Sequence, residues 1–223
     1  SPQVFNITQI FDFYYSPTWN FDRKSLFNWK YEESGNFEKK VKAFFNRERF
    51  LKLIADWIIF FTKDDDLKKI VLRQHQSRAV GKIVERVLDP VKKTGLIWHT
   101  QGSGKTFTMI KAAEIILRLP VKPTVLMLVD RNELEGQLSG WITNILGKGA
   151  HKPVESKREL RTLLKSDYRG LIVSMIHKFN KADECLNKRK DIFVLIDEAH
   201  RSTGGDLGNY LVSALPNATL IGF

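Results

Sequence analysis

The chain has 223 residues, 43% of them hydrophobic and 27% charged, with a formal net charge of +11. This is enough apolar material for one large domain, or a domain with a smaller appendage, and it excludes an intrinsically disordered chain. A single cysteine, Cys185, excludes an internal disulfide framework and a cysteine zinc site, and no apolar run approaches the about 20 residues that span a bilayer.

Taken in order, residues 4–15 partly alternate, with Phe5, Ile7, Phe11 and Phe13 on one parity, which predicts a strand. Ser16-Pro17 is a turn signal. Phe37, Val41, Phe44 and Phe45, then Phe50, Leu53, Ile54, Trp57, Ile58 and Phe61, recur at helical spacing and predict helices over 37–61. Lys63-Asp64-Asp65-Asp66 reads as a charged loop and a boundary.

Beyond residue 68 short apolar runs alternate with helical patterns. A helix is expected over 72–88, a strand over 95–99, a helix from Lys105 to about Leu119 before Pro120, and a strand over 124–129. A helix over 133–146 and strands over 171–174, 192–196 and from 219 onward complete the pattern. Strands without polar alternation are buried on both faces, as in a parallel sheet covered by helices. The expected organisation is a 1–35 segment, a helical connector over 36–68 and an α/β domain over 69–223. The apolar run Ala218–Phe223 at the end reads as a cut within a longer protein.

Thr100-Gln101-Gly102-Ser103-Gly104-Lys105-Thr106 stands between a predicted strand and a predicted helix. Gly102 and Gly104 let successive backbone N–H groups face one point, and the helix that follows adds its positive end. In such a loop Lys105 reaches the outer phosphates of a nucleotide and the Thr106 hydroxyl ligates magnesium. The strict pattern G-x-x-x-x-G-K-[ST] asks for glycine where this chain has His99. Asp197-Glu198-Ala199-His200 follows the apolar run 192–196, and strand ends are where α/β sheets present ligand groups. Asp197 suits a magnesium ion, and Glu198 suits the orientation or deprotonation of an attacking water. His200 reads as a coupling residue, since no other histidine or cysteine stands at ligand spacing from it.

These segments, with Arg73-Gln74-His75-Gln76, Leu128-Val129-Asp130-Arg131-Asn132-Glu133-Leu134, Ile172-Val173-Ser174-Met175-Ile176-His177-Lys178-Phe179 and Leu220-Ile221-Gly222-Phe223, run in the order found in one family. The chain resembles the restriction (motor) subunit of type I restriction–modification enzymes, a superfamily-two, DEAH-box ATPase. The Trp98-His99-Thr100-x-Gly102-Ser103-Gly104-Lys105 form of the loop is that family's own. The resemblance implies a RecA-like, P-loop NTPase sheet preceded by a helical connector and the tail of an α/β nuclease domain. It implies an ATP hydrolase that translocates double-stranded DNA, using ATP and Mg2+, with Lys105, Asp197 and Glu198 catalytic.

Further roles come with the resemblance. Gln76 would read adenine with Arg73 beside it, Thr100 to Thr106 and His200 would line the nucleotide, and Thr106 and Asp197 would hold the metal. Arg131, Ser174 and Lys178 would touch the DNA backbone. Methylation and specificity subunits would be partners, the setting cytoplasmic, and no membrane involved. The +11 charge points the same way, toward a polyanion. The alternative is a general superfamily-two helicase or remodeller without a nuclease, which an upstream nuclease element would exclude; no plausible copy of the family's acidic cluster with its Glu-x-Lys element is found in these residues.

Overall fold

The computed structural model describes residues 3–8, 12–17, 26–29, 36–63, 66–100, 102–130, 132–180, 184–199 and 206–223. The chain divides into two compact units, Ser1–Arg78 and Ala79–Phe223.

The first unit opens with an antiparallel three-stranded sheet, β1 (Val4–Thr8), β2 (Phe13–Pro17) and β3 (Phe27–Asn28). Helices α1 (Phe37–Phe44) and α2 (Arg47–Lys52) follow, and a π-helical turn over Leu53–Trp57 leads into the hairpin β4 (Ile58–Lys63) and β5 (Asp66–Val71). Asparagine caps start both helices: Asn36 accepts from the Lys39 N–H at 2.9 Å and Asn46 from the Arg49 N–H at 3.3 Å. The expected helix over 37–61 therefore ends early. Ile58-Ile59-Phe60-Phe61 is β-branched and aromatic, and pairing with the 66–71 strand satisfies its backbone. Phe13, Tyr15, Trp29, Phe44, Leu53, Ile58 and Val71 form the core of this unit. The buried Tyr15 hydroxyl donates to the Leu72 carbonyl at 3.0 Å.

The division falls within α3 (Gln74–Leu88). The second unit is built on β6 (Thr94–Leu96), α4 (Lys105–Leu117), β7 (Thr124–Val129), α5 (Asn132–Leu146), β8 (His151–Pro153), α6 (Lys157–Lys165), β9 (Gly170–Met175), β10 (Ile192–Ile196), α7 (Asp206–Ala214) and β11 (Thr219–Gly222). Its sheet has the order β6-β11-β10-β7-β9-β8, and all its pairings are parallel. Every residue of β7 and β10 is buried, which explains their unbroken apolar runs.

One face of the sheet packs Val125, Met127, Val173 and Leu195 against Ile83 and Val87 of α3, α4, and Leu138 and Ile142 of α5. The other packs Leu126, Ile172, Val194 and Ile196 against Leu160 and Leu164 of α6 and Leu211 and Ala214 of α7. The expected parallel α/β fold is thus present, with β8 and α6 added where no element was expected. Ser156 caps α6 by accepting from the Glu159 N–H at 3.1 Å, and Glu159 in turn accepts from the Glu155 N–H. At the opposite end of the sheet from the strand C-termini, Arg189 donates to Tyr168 O, Thr124 Oγ1 and Asp191 Oδ1, tying together the starts of β7, β9 and β10. Among the described residues no helix is long and apolar enough to cross a membrane.

Candidate active site

The C-terminal ends of the parallel strands carry the residues that the sequence singles out. After β6 the chain turns through Gly102 (φ 74°) and Gly104 (φ 82°) into α4. Both are left-handed, a conformation that costs an L-residue about 1–2 kcal/mol and glycine nothing comparable. Gly104 occupies the N-cap of α4 and, having no side chain, caps none of the first amides of the helix. His99 is not among the left-handed residues, so the missing glycine of the strict pattern falls where none is required. The helix behind the loop is rigidly held: Thr108, Met109, Ile110, Lys111, Ala112, Ala113 and Ile116 are all buried.

On β10 the register places Ile196 against Leu128 of β7 on one side and Gly222 of β11 on the other. Backbone bonds continue past the strand: Asp197 N–H donates to Leu128 O, and Ala199 N–H to Phe223 O, each at 2.9 Å. Between them Glu198 is forced to φ 49°, one of few non-glycine residues in that region, and its N–H donates to Asp197 Oδ1 at 3.1 Å. A left-handed non-glycine residue at a strand end is a held conformation. Here it turns Glu198 toward the loop, and Lys105 Nζ donates to its Oε1 at 3.2 Å.

The electrostatics follow from that geometry. Burial, and then the negative charge of Glu198, push the Asp197 carboxyl above the usual aspartate range, against the pull of the Glu198 N–H and Lys105. Two adjacent carboxylates, Asp197 and Glu198, stand here beside the Lys105 ammonium, and oxygen donors of this kind suit a divalent cation. Among the described residues no group of three or more His, Cys, Asp or Glu side chains gathers around a point. An ion here would draw on Asp197 and the Thr106 hydroxyl, with its remaining ligands from the nucleotide and water. The positive N-terminal end of α4 and the Lys105 ammonium fit a polyphosphate.

The remaining expected site residues stand as follows. Gln101, Arg131 and His200 are outside the described residues. Arg73 and Gln76 belong to the first unit, where Gln76 is buried and its Oε1 accepts from the Arg73 N–H at 2.7 Å, while the Arg73 guanidinium sits 5.0 Å from the Phe27 ring centre. Ser174 is fully buried on β9. Lys178 is buried too, its ammonium bonded to Glu135 Oε1 at 3.1 Å and to the Val154 carbonyl. In this arrangement both face the protein interior rather than a duplex. Ser174 is on a strand buried on both faces, and Lys178 is in the turn that directs Ile176 and Phe179 into the core.

A model of the SWI2/SNF2 ATPase family matches residues 75–223, and the chain belongs to that family. Its relatives narrow the kind. It is 32% identical over 262 residues, covering 100% of this chain, to a Methanocaldococcus jannaschii protein that bears the name of a type I restriction enzyme endonuclease subunit. It is 31% identical over 219 residues, 84% of this chain, to the type I restriction enzyme HindI endonuclease subunit of Haemophilus influenzae. The resemblance drawn from the motifs is therefore that of the whole sequence. The chain spans 25% and 21% of the length of these two relatives. The crystal structure of the UvsW helicase from bacteriophage T4 superposes with a TM-score of 0.54 at 14% identity, covering 90% of this chain and 72% of that one, which establishes the RecA-like fold.

Proposed function

We propose that this chain is the first motor domain of a type I restriction endonuclease subunit, in which ATP hydrolysis draws double-stranded DNA past the enzyme before a nuclease domain of the larger protein cuts it. The observation that carries the reading is the meeting, at 3.2 Å, of Lys105 in the first turn of α4 with Glu198 in the turn after β10. Lys105 and the loop residues Gly102, Ser103 and Gly104 hold the outer phosphates, with Thr100 and Gln101 beside them. Thr106 and Asp197 hold magnesium, which neutralises phosphate charge when bound. Glu198, released from Lys105 by the phosphates, orients the attacking water and takes its proton. Arg73 and Gln76 read the adenine, and His200 couples the site to DNA. Arg131 touches the DNA backbone, a contact that gives grip without sequence preference.

The larger protein would work with methylation and specificity subunits, which supply recognition, and the names of the relatives support that setting. Residues 1–35 would then close the nuclease domain and 36–68 connect it to the motor at 69–223. A nuclease-free remodeller is the reading that the SWI2/SNF2 match by itself favours. The complete polypeptide distinguishes them. Hydrolysis stimulated by duplex DNA, ATP-dependent displacement of a triplex-forming strand from that duplex, and cutting of unmodified DNA together support the proposal. Hydrolysis indifferent to duplex DNA would overturn the motor reading, and displacement without cutting would favour the remodeller.

A further inference from the structure

The exits of β7 and β9 are joined by two adjacent side chains. Val129 pairs with Met175, so the chain leaves both strands at one level, at Asp130 on one side and at the 3-10 turn Ile176–Lys178 on the other. His177 Nε2 lies 3.0 Å from Asp130 Oδ1 and 3.1 Å from the Asp130 carbonyl oxygen. Both oxygens are acceptors, so Nε2 carries the hydrogen and donates. Lys178 reaches to Glu135 in the first turn of α5, at 3.1 Å. The turn that presents both side chains is itself fixed, because Ile176 and Phe179 are buried in the core. Asp130 and Glu135 bracket the β7–α5 junction, and Arg131 stands in sequence between them.

We propose that His177 and Lys178 form a brace: they are positioning residues that set the β7–α5 junction, rather than groups that themselves meet phosphate. A strand-to-helix junction has no ladder bonds of its own, so side-chain bonds at its two ends restrict it. Lys178 is buried with its ammonium committed to the junction and to Val154. His177 is half exposed, but its donor nitrogen is committed to Asp130. The proposal rests on the reading of Arg131 as a DNA-backbone contact.

The test is duplex-stimulated ATP hydrolysis by the complete polypeptide, titrated with DNA for wild type, H177L, H177Q, R131A and the H177L/R131A pair. H177L should raise the half-saturating DNA concentration several-fold while the rate at saturating DNA is kept. H177Q, whose amide can donate to the same oxygens, should restore it. In the R131A background H177L should add nothing, since a brace acts only through what it positions. Independent, multiplying losses would mean that His177 meets DNA directly and would overturn the brace. A lower saturating rate with unchanged half-saturation would reduce the pair to a structural role. If R131A alone leaves the half-saturating concentration unchanged, the reading of Arg131 itself falls, and the brace with it.

Discussion

Lys105 Nζ and Glu198 Oε1 are 3.2 Å apart although 93 residues separate them along the chain. The lysine belongs to the first turn of α4 and the glutamate to the turn after β10, held there at φ 49°. Without nucleotide, each thus answers the charge of the other. In the proposed site, a phosphate that takes the ammonium breaks this pair.

Two opposite effects on nucleotide binding follow from this pair. Lys105→Ala removes a charge-assisted donor to phosphate and should weaken ATP binding about 10- to 100-fold. Glu198→Gln removes the competitor for the same ammonium. Because the pair is only partly buried, its release should tighten binding by no more than about two- to fivefold, while turnover falls by about 10²–10⁴. Isothermal titration with a slowly hydrolysed ATP analogue measures both. Equal affinities for wild type and the lysine variant would remove Lys105 from the phosphate site.

Asp197 carries a cost that its function requires. Its carboxyl is held above the usual aspartate range by burial and by Glu198, so ionisation is harder in the folded chain than in the unfolded one. The stability contributed by such a group is fully present below the ordinary aspartate pKa and is lost as pH rises through the raised folded value. Asp197→Asn should therefore melt higher than wild type at neutral pH without nucleotide, lose turnover, and converge with wild type in acid. Thermal melts across pH test this, and a lower neutral melting point for the variant would mean that the carboxylate is a net stabiliser.

Gly222 should tolerate no side chain. A Cβ built there would lie 2.6 Å from Ala199 Cβ and 3.2 Å from Leu96 Cδ1, so β11 and the turn bearing Asp197 and Glu198 pack without room for a methyl group. Gly222→Ala should destabilise the fold by about 1–3 kcal/mol in denaturant titration and depress turnover by displacing that turn. Unchanged stability would show that the turn shifts freely.

Much of this was legible in the sequence, for local reasons. Unbroken apolar runs such as Thr124–Val129 and Ile192–Ile196 report burial on two faces and so a parallel sheet. Gly102, Gly104 and Lys105 announce a phosphate loop because left-handed glycines before a helix are a property of neighbouring residues. The aromatic stretch after Trp57 misled for the same reason: spacing at a helical period describes which side chains could share a face, and only the partner strand at 66–71 decides that the segment pairs instead.

What the sequence by itself determined is the inventory, namely a glycine-rich loop with a lysine at a helix start, a pair of carboxylates at a strand end and a basic chain. The tertiary structure decided which of those groups meet. Lys105 faces Glu198, His177 faces Asp130, and Lys178 turns inward to Glu135, across 93, 47 and 43 residues. No local pattern encodes such pairs. Each is fixed by sheet order and register, which arise from the packing of all the strands and helices together.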